Sequence, residues 1–392
     1  LPITNQNYEI EYAPKGNSPS CEAVNFASFV EVPNAATCGT SDLCMVTSSY
    51  FSDLASTTDV LGGEGTFTYG QIVEDPSNNS GNISIDANKF TELEYALKAT
   101  TNTTDSNYCL RVSNEGTDLD SYSHVAELSL RFAPSVSALT LNGGADITLM
   151  EGATTTITAT GTVSDQNGYA DLLDATTTMF RSGVGESCVA DNNNCYIAGN
   201  SACSFSNCSG NSCDVSCSAD FYYHADPTDA GTYGGETWRA ILSVIDAGGS
   251  IASGTAPSID LSTLRAISVD TGIDYGSLQV NADTGSYNAT TTIENIGNAA
   301  IDVLIEGTDL TDGGSSNIPV SDQIYSTSTF TYSACTVCQQ ASSTAAQFEL
   351  DLTKPASTTP QITDQLFWGL FVPFGVAGTA HQGVNTLYAT GD

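Results

Sequence analysis

Twelve cysteines and a large surplus of carboxylates are the residues of this 392-residue chain whose type and spacing could do chemistry. Six of the cysteines, Cys188, Cys195, Cys203, Cys208, Cys213 and Cys217, crowd into SCVADNNNCYIAGNSACSFSNCSGNSCDVSC, residues 187–217. Structural zinc is held by paired C-x-x-C knuckles or by Cys with His, whereas the gaps here are six, seven, four, four and three residues, with no His among them. Disulfides are the better reading, and six cysteines allow fifteen connectivities among which spacing does not choose. Cys21, Cys38, Cys44 and Cys109 form a second even block, and Cys335 and Cys338 a third, so each block can pair within itself. The C-x-x-C of SACTVCQQ would suggest thiol exchange at a strand-to-helix turn. Its flanks, STSTFTYS and SSTAAQFELDL, read as strands, which favours a hairpin disulfide. Gly, Asn and Ser fill the gaps of 187–217, so cross-links are expected to replace a missing core in a stapled excursion from a β-domain.

The acidic residues raise a different possibility. SDQNGYADLLD sets Asp165, Asn167, Asp171 and Asp174 about Gly168, and calcium takes hard oxygen ligands on a tight loop of this kind. The EF-hand spacing is absent, and an ordinary Asx-Gly turn accounts for the same residues. HADPTDAG adds Asp226 and Asp229, either as a further oxygen cluster or as a Pro-containing turn. Glycosidase chemistry needs two carboxyl groups about 5 to 10 Å apart, but 45 acidic residues make any pair uninformative. Trp238 and Trp368 lie in apolar strand-like runs rather than in a sugar-stacking groove. His124, His224 and His381 are scattered without H-E-x-x-H spacing, and no nucleophile elbow, Walker loop or dinucleotide fingerprint occurs. The chain is therefore expected not to be an enzyme.

Nine basic against 45 acidic residues give a formal charge of -36, which repels nucleic acid and anionic lipid and attracts cations. No run reaches the roughly 18 to 20 apolar residues of a membrane span, since LFWGLFVPFGVAG (366–378) is short, broken by Pro373, and reads as a buried strand pair. The opening Leu1-Pro2 suggests a processed N-terminus.

Short runs rich in Thr, Val, Ile and Tyr position these groups: YEIEY, TTTITATGTV, WRAILSVID, IDVLIEGTDL and FELDL among them, punctuated by Gly, Asn and Asp turns. KFTELEYALKATTN competes between helix and strand, and its alternation favours strand. The fold class expected is all-β, as tandem immunoglobulin-like β-sandwich domains with disulfide-stapled loops, over residues 1–133, 134–268 and 269–392.

FTELEYALKATTNTTDSNYCLRVSNEGTDLDSYSHVAELSL resembles a module of large secreted surface proteins from uncultivated bacterial lineages. It also resembles the F and G strands of fibronectin type III domains, through Tyr108, Arg111, Val112, Asn114 and Gly116. IDYGSLQVNADTGSYNATTTIENIGNAAIDVLIEGTDLTDGG and FWGLFVPFGVAGTAHQGVNTLYA look like the repeated sandwich modules of bacterial and archaeal surface-layer chains. The resemblance implies an extracellular structural role and brings no catalytic residue.

Assembly is expected from the N-terminus. Residues 1–14 form an extended segment that could enter a neighbour's sheet through Ile3, Tyr8, Ile10 and Tyr12, or pair within its own domain. Sequons at Asn78, Asn82, Asn102, Asn207 and Asn288 fall in expected loops and fit glycosylation. The expected function is a cell-surface subunit that associates with itself into a filament or surface layer. The alternative is an adhesin or carbohydrate-binding module whose loop at 187–217 meets glycans or a neighbouring cell.

Overall fold

The computed structural model describes residues 2–100, 102–103, 106–119, 122 and 124–391. Among them all regular structure is strand or short 3-10 turn, so the chain is all-β. KFTELEYALKATTN contributes the short strands Lys89–Phe90, Glu94–Tyr95 and Leu97–Ala99. Chain contacts group the residues into two compact units: Leu1–Pro134 with Asp165–Asp171 and Ala247–Ser250, and the remainder.

The first unit is organised about strand β1 (Ile3–Pro14), whose run from Tyr8 to Ala13 is buried. One edge of β1 pairs with β3 (Asn107–Asn114), from Tyr8↔Asn114 to Pro14↔Tyr108. The other edge pairs with β2 (Asn79–Ile85) and with Val30–Glu31, while β4 (Ala126–Ser129) continues the sheet beyond β3. Ile10, Tyr12, Leu43, Met45, Val73 and Tyr108 form the main core. Arg111, only 6% exposed, is neutralised by Glu11 (Nε to Oε2, 2.7 Å) and Asp118 (Nη2 to Oδ1, 2.7 Å). Its guanidinium lies 4.2 Å from the ring centroid of Phe29 and 5.0 Å from that of Phe26. A buried charge is tolerated only with such partners.

The second unit holds two separate cores. In the first, β5 (Ser135–Leu141), β6 (Thr154–Ser164), β9 (Cys203–Ser209) and β10 (Ser212–Tyr222) make one sheet in the order β5-β6-β10-β9. Strands β7 (Leu172–Arg181), β8 (Cys195–Ala198), β11 (Trp238–Asp246) and β12 (Ile251–Thr255) make the other, ordered β8-β7-β11-β12. Alternating residues of both sheets enclose Leu141, Ile157, Val163, Met179, Phe221, Trp238 and Leu242, as in immunoglobulin-like sandwiches. Tyr196 stacks on Phe221 with centroids 3.9 Å apart, and Trp238 tilts against Phe221 at 4.9 Å.

The second core belongs to β13 (Ile267–Val269), β14 (Ala289–Asn295), β16 (Gln323–Ser326), β17 (Gln339–Gln340) and β19 (Thr363–Val372), ordered β13-β14-β19-β16-β17. These strands enclose the core with β15 (Ile301–Gly307), β18 (Ala346–Leu352) and β20 (Asn385–Gly391), ordered β18-β15-β20. The break expected at 268 falls inside β13. Backbone bonds Ile296 N to Ala266 O and Asn298 N to Leu264 O tie the two sides of that position together. Gly297 permits the approach, because a Cβ there would stand 2.3 Å from the Leu264 carbonyl oxygen. LFWGLFVPFGVAG is not a strand pair: residues through Val372 complete the single strand β19, and Phe374, 90% exposed, lies beyond it.

Candidate functional site

All twelve cysteines are oxidised, as Cys21–Cys109, Cys38–Cys44, Cys188–Cys195, Cys203–Cys217, Cys208–Cys213 and Cys335–Cys338. The segment 187–217 is no coreless excursion. Most of it is woven into both sheets of one sandwich, and Cys213, Val215 and Cys217 alternate inward along β10 at 2%, 1% and 0% exposure. Bonded cysteines act as small apolar side chains, and they supply the strand period that the surrounding Ser, Asn and Gly lack. Cys203–Cys217 and Cys208–Cys213 then cross-link the β9–β10 hairpin. Cys335–Cys338 sits in the connection between β16 and β17.

At 165–171 the structure forms an Asx turn. Asp165 Oδ1 accepts the Asn167 amide at 2.8 Å, Asp165 O accepts the Gly168 amide at 3.1 Å, and Gly168 takes φ 101°. The turn brings carboxylate oxygens of Asp165 and Asp171 within 4.8 Å of one another. Asp174 is not part of this arrangement; it sits on β7, where its Oδ1 accepts the Ala175 amide.

Asp226 is not an open oxygen ligand but the centre of a charge network inside the second unit. Its Oδ2 meets Arg181 Nε and its Oδ1 meets Lys354 Nζ, both at 3.1 Å, while its carbonyl accepts Trp238 Nε1–H at 3.0 Å. Arg181 also bonds Glu236 and lies 3.8 Å from the Tyr233 ring centroid. Lys354 Nζ donates to Asn193 Oδ1 at 3.2 Å, the atom that also bonds His224 Nδ1 at 3.1 Å. His224 is 1% exposed, and burial first, then the Lys354 charge, pushes its pKa below the ordinary imidazole value. Asp229 caps Thr263, accepting its amide at 2.9 Å and its hydroxyl at 2.6 Å. This network ties the segment following β18 to the first sandwich. Its signal in the sequence was Arg181 and Lys354 among so few cations.

Other sequence candidates are dispersed. His124 is exposed, and His381 bonds Ser316 Oγ at 3.2 Å. Ile3, Tyr8, Ile10 and Tyr12 all lie in β1, which pairs within its own unit: with β3 from Tyr8 to Pro14 on one edge, and with β2 and Val30–Glu31 on the other. The buried run from Tyr8 to Ala13 is the part of β1 that β3 pairs along its whole length, with β2 and Val30–Glu31 opposite parts of it. Of the sequons, Asn82 and Asn207 lie on strands and are exposed, and Asn102 is exposed with its Thr104 outside the described residues. Asn78 is half-buried with its amide on Glu31, and Asn288 Oδ1 accepts the Phe330 amide at 2.9 Å.

Two surface features carry no motif in the sequence. Glu306, Thr308, Asp309, Thr311, Gln382 and Val384 line an open cleft of about 860 Å³ on the last sandwich. In the first unit, the segment 50–69 exposes Tyr50 (88%), Val60 (70%), Leu61 (86%) and Tyr69 (70%). Glu92 holds that segment, its carboxylate accepting the amides of Val60 and Leu61 at 2.9 and 2.7 Å.

No protein-family model matches the chain, and no curated protein matches it. Among solved structures, a marsupial T cell receptor is 9% identical over 99% of this chain and 92% of its own, with a TM-score of 0.25. The C-terminal domain of the Streptococcus pyogenes antigen I/II-family protein AspA is 12% identical over 67% and 97%, at 0.19. A variant of BcpA, the major pilin subunit of Bacillus cereus, is 8% identical over 82% and 87%, at 0.21. Likeness this remote carries no argument about what the chain does.

Proposed function

We propose that this chain is an extracellular structural subunit that associates with copies of itself into a surface filament or surface layer. The observation that carries this reading is the pairing of all twelve cysteines within an all-β chain. Disulfides persist in oxidising surroundings and limit the unfolded ensemble, which suits a load-bearing part outside the cell. A charge of -36 opposes close packing of copies, so association needs apolar contact and screening. The exposed side chains of Tyr50, Val60, Leu61 and Tyr69 supply such contact, and a second copy of this chain is the occupant we assign to them. Strand donation by β1 is not needed in this reading. Sedimentation velocity over a range of protein concentrations tests it: wild type forms species larger than a monomer, and V60D/L61D remains monomeric with an unchanged circular dichroism spectrum. Equal association by both proteins would reject the assigned surface, and monomers throughout would reject self-association.

A second reading, an adhesin or carbohydrate-binding module, is favoured by the cleft about Glu306, Asp309 and Gln382, whose polar groups can hydrogen-bond sugar hydroxyls. Specific glycan-array binding by soluble monomer, lost in D309A, would favour it over self-assembly.

A further inference from the structure

On the outer face of the last sandwich, β18 carries Gln347, Glu349 and Asp351 outward while Phe348, Leu350 and Leu352 enter the core. The ladder between β15 and β18 slips between Ile301↔Leu352 and Val303↔Phe348, so one residue on β15 faces three on β18. That one residue is Asp302. Its Oδ1 fills the slip, accepting the Leu350 amide at 2.8 Å and the Asp351 amide at 2.9 Å, while Asp351 takes φ 52°. The distortion gathers charge: carboxylate oxygens of Asp302, Glu349 and Asp351 all lie within 4.8 Å of one another.

Three carboxylates this close repel one another, and the Gln347 amide that donates to Glu349 Oε1 at 3.1 Å offsets only part of that repulsion. Asp302 is completely buried, yet its Oδ2 makes no hydrogen bond. A buried carboxylate whose second oxygen, Oδ2, has no hydrogen-bond partner, flanked by two exposed carboxylates, is the arrangement that a hard cation completes.

We propose that Asp302, Glu349 and Asp351 bind a calcium ion on the irregular β15–β18 ladder. Calcium suits the set better than magnesium, because it accepts several carboxylates in irregular geometry and needs fewer waters of its own. Asp302 is the buried anchor, and the two exposed residues close over the ion with water filling the remaining positions. Affinity in the range of extracellular calcium modules, a Kd of about 0.1 to 1 mM, is expected for an open site of this kind.

Isothermal titration calorimetry of the whole chain with calcium chloride, after chelation and desalting, tests this. Wild type should take up one ion more than E349Q/D351N. In wild type, 10 mM calcium should raise the folded-to-unfolded ratio about 10- to 100-fold in the transition sensed by tryptophan fluorescence, by mass action at that Kd. The double variant alters only exposed side chains, and its circular dichroism and chelated midpoint should match wild type. D302N, which keeps an oxygen for both amides, should lose the ion as well. Uptake of equal numbers of ions at equal affinity by wild type and E349Q/D351N, or no uptake by wild type at 10 mM, would overturn the proposal.

Discussion

Removing Cys21–Cys109 should cost more than removing any other cross-link, because it closes 88 residues whereas the others close 3 to 14. In the loop-entropy account, a loop of that length takes about 15 cal/mol/K from the unfolded chain, or about 4.6 kcal/mol at 25 °C. The three-residue loop of Cys335–Cys338 gives about 1.6 kcal/mol by the same relation. Cys21 and Cys109 are also 2% and 0% exposed, packed with Ala13, Val24 and Phe29, so loss of both sulfurs adds a cavity cost of about 1 kcal/mol. C21A/C109A should thus lower the stability of the first unit by about 5 kcal/mol, a shift of about 1 M in guanidinium midpoint. Trp238 and Trp368 both lie in the second unit, so tyrosine fluorescence and circular dichroism must follow the loss. A midpoint shift no larger than that of C335A/C338A would refute the ranking by loop length.

Three further outcomes follow from buried polar groups and from close backbone approach. R111M leaves Glu11 buried without its cation and should destabilise the first unit by about 3 to 5 kcal/mol in urea unfolding; a loss below about 1 kcal/mol would mean the pair is idle. His224 has a depressed folded pKa, so the unfolded chain binds the extra proton below about pH 6.5. Stability is then full above that pH and falls as pH drops, by at most about 1.4 kcal/mol per unit. Tryptophan-detected unfolding between pH 7.5 and 5.5 should show this slope, and H224Q should flatten it. G297A places a Cβ against the Leu264 carbonyl and should cost about 1 to 3 kcal/mol in the same assay, whereas G378A, with open space around it, should be near neutral.

Period-two alternation in runs such as WRAILSVID and FELDL was enough to reveal the strands, because each half-buried strand writes its two faces into the residue order. Even cysteine blocks pointed to pairing within blocks, although the partners depend on which strands become neighbours. As staples alone, Cys213 and Cys217 leave 187–217 without an apolar period. Counted as apolar groups beside Val215, they continue the strand pattern, and 187–217 becomes part of a core. Asp226 looked like a metal ligand in its turn because its cations, Arg181 and Lys354, are 45 and 128 residues away. Asp302 escaped notice for a similar reason: an acid inside IDVLIEG reads as an outward residue until a slipped ladder sets it beside Glu349 and Asp351. The edge occupancy of β1 likewise depends on β2 and β3, which arrive about 70 and 100 residues later in the chain.

Electron microscopy of the protein as shed from its source, before and after chelation of divalent cations, asks whether it is a self-assembling extracellular subunit. Regular filaments or sheets in the untreated material are the expected result. Dispersed single particles under both conditions would contradict it.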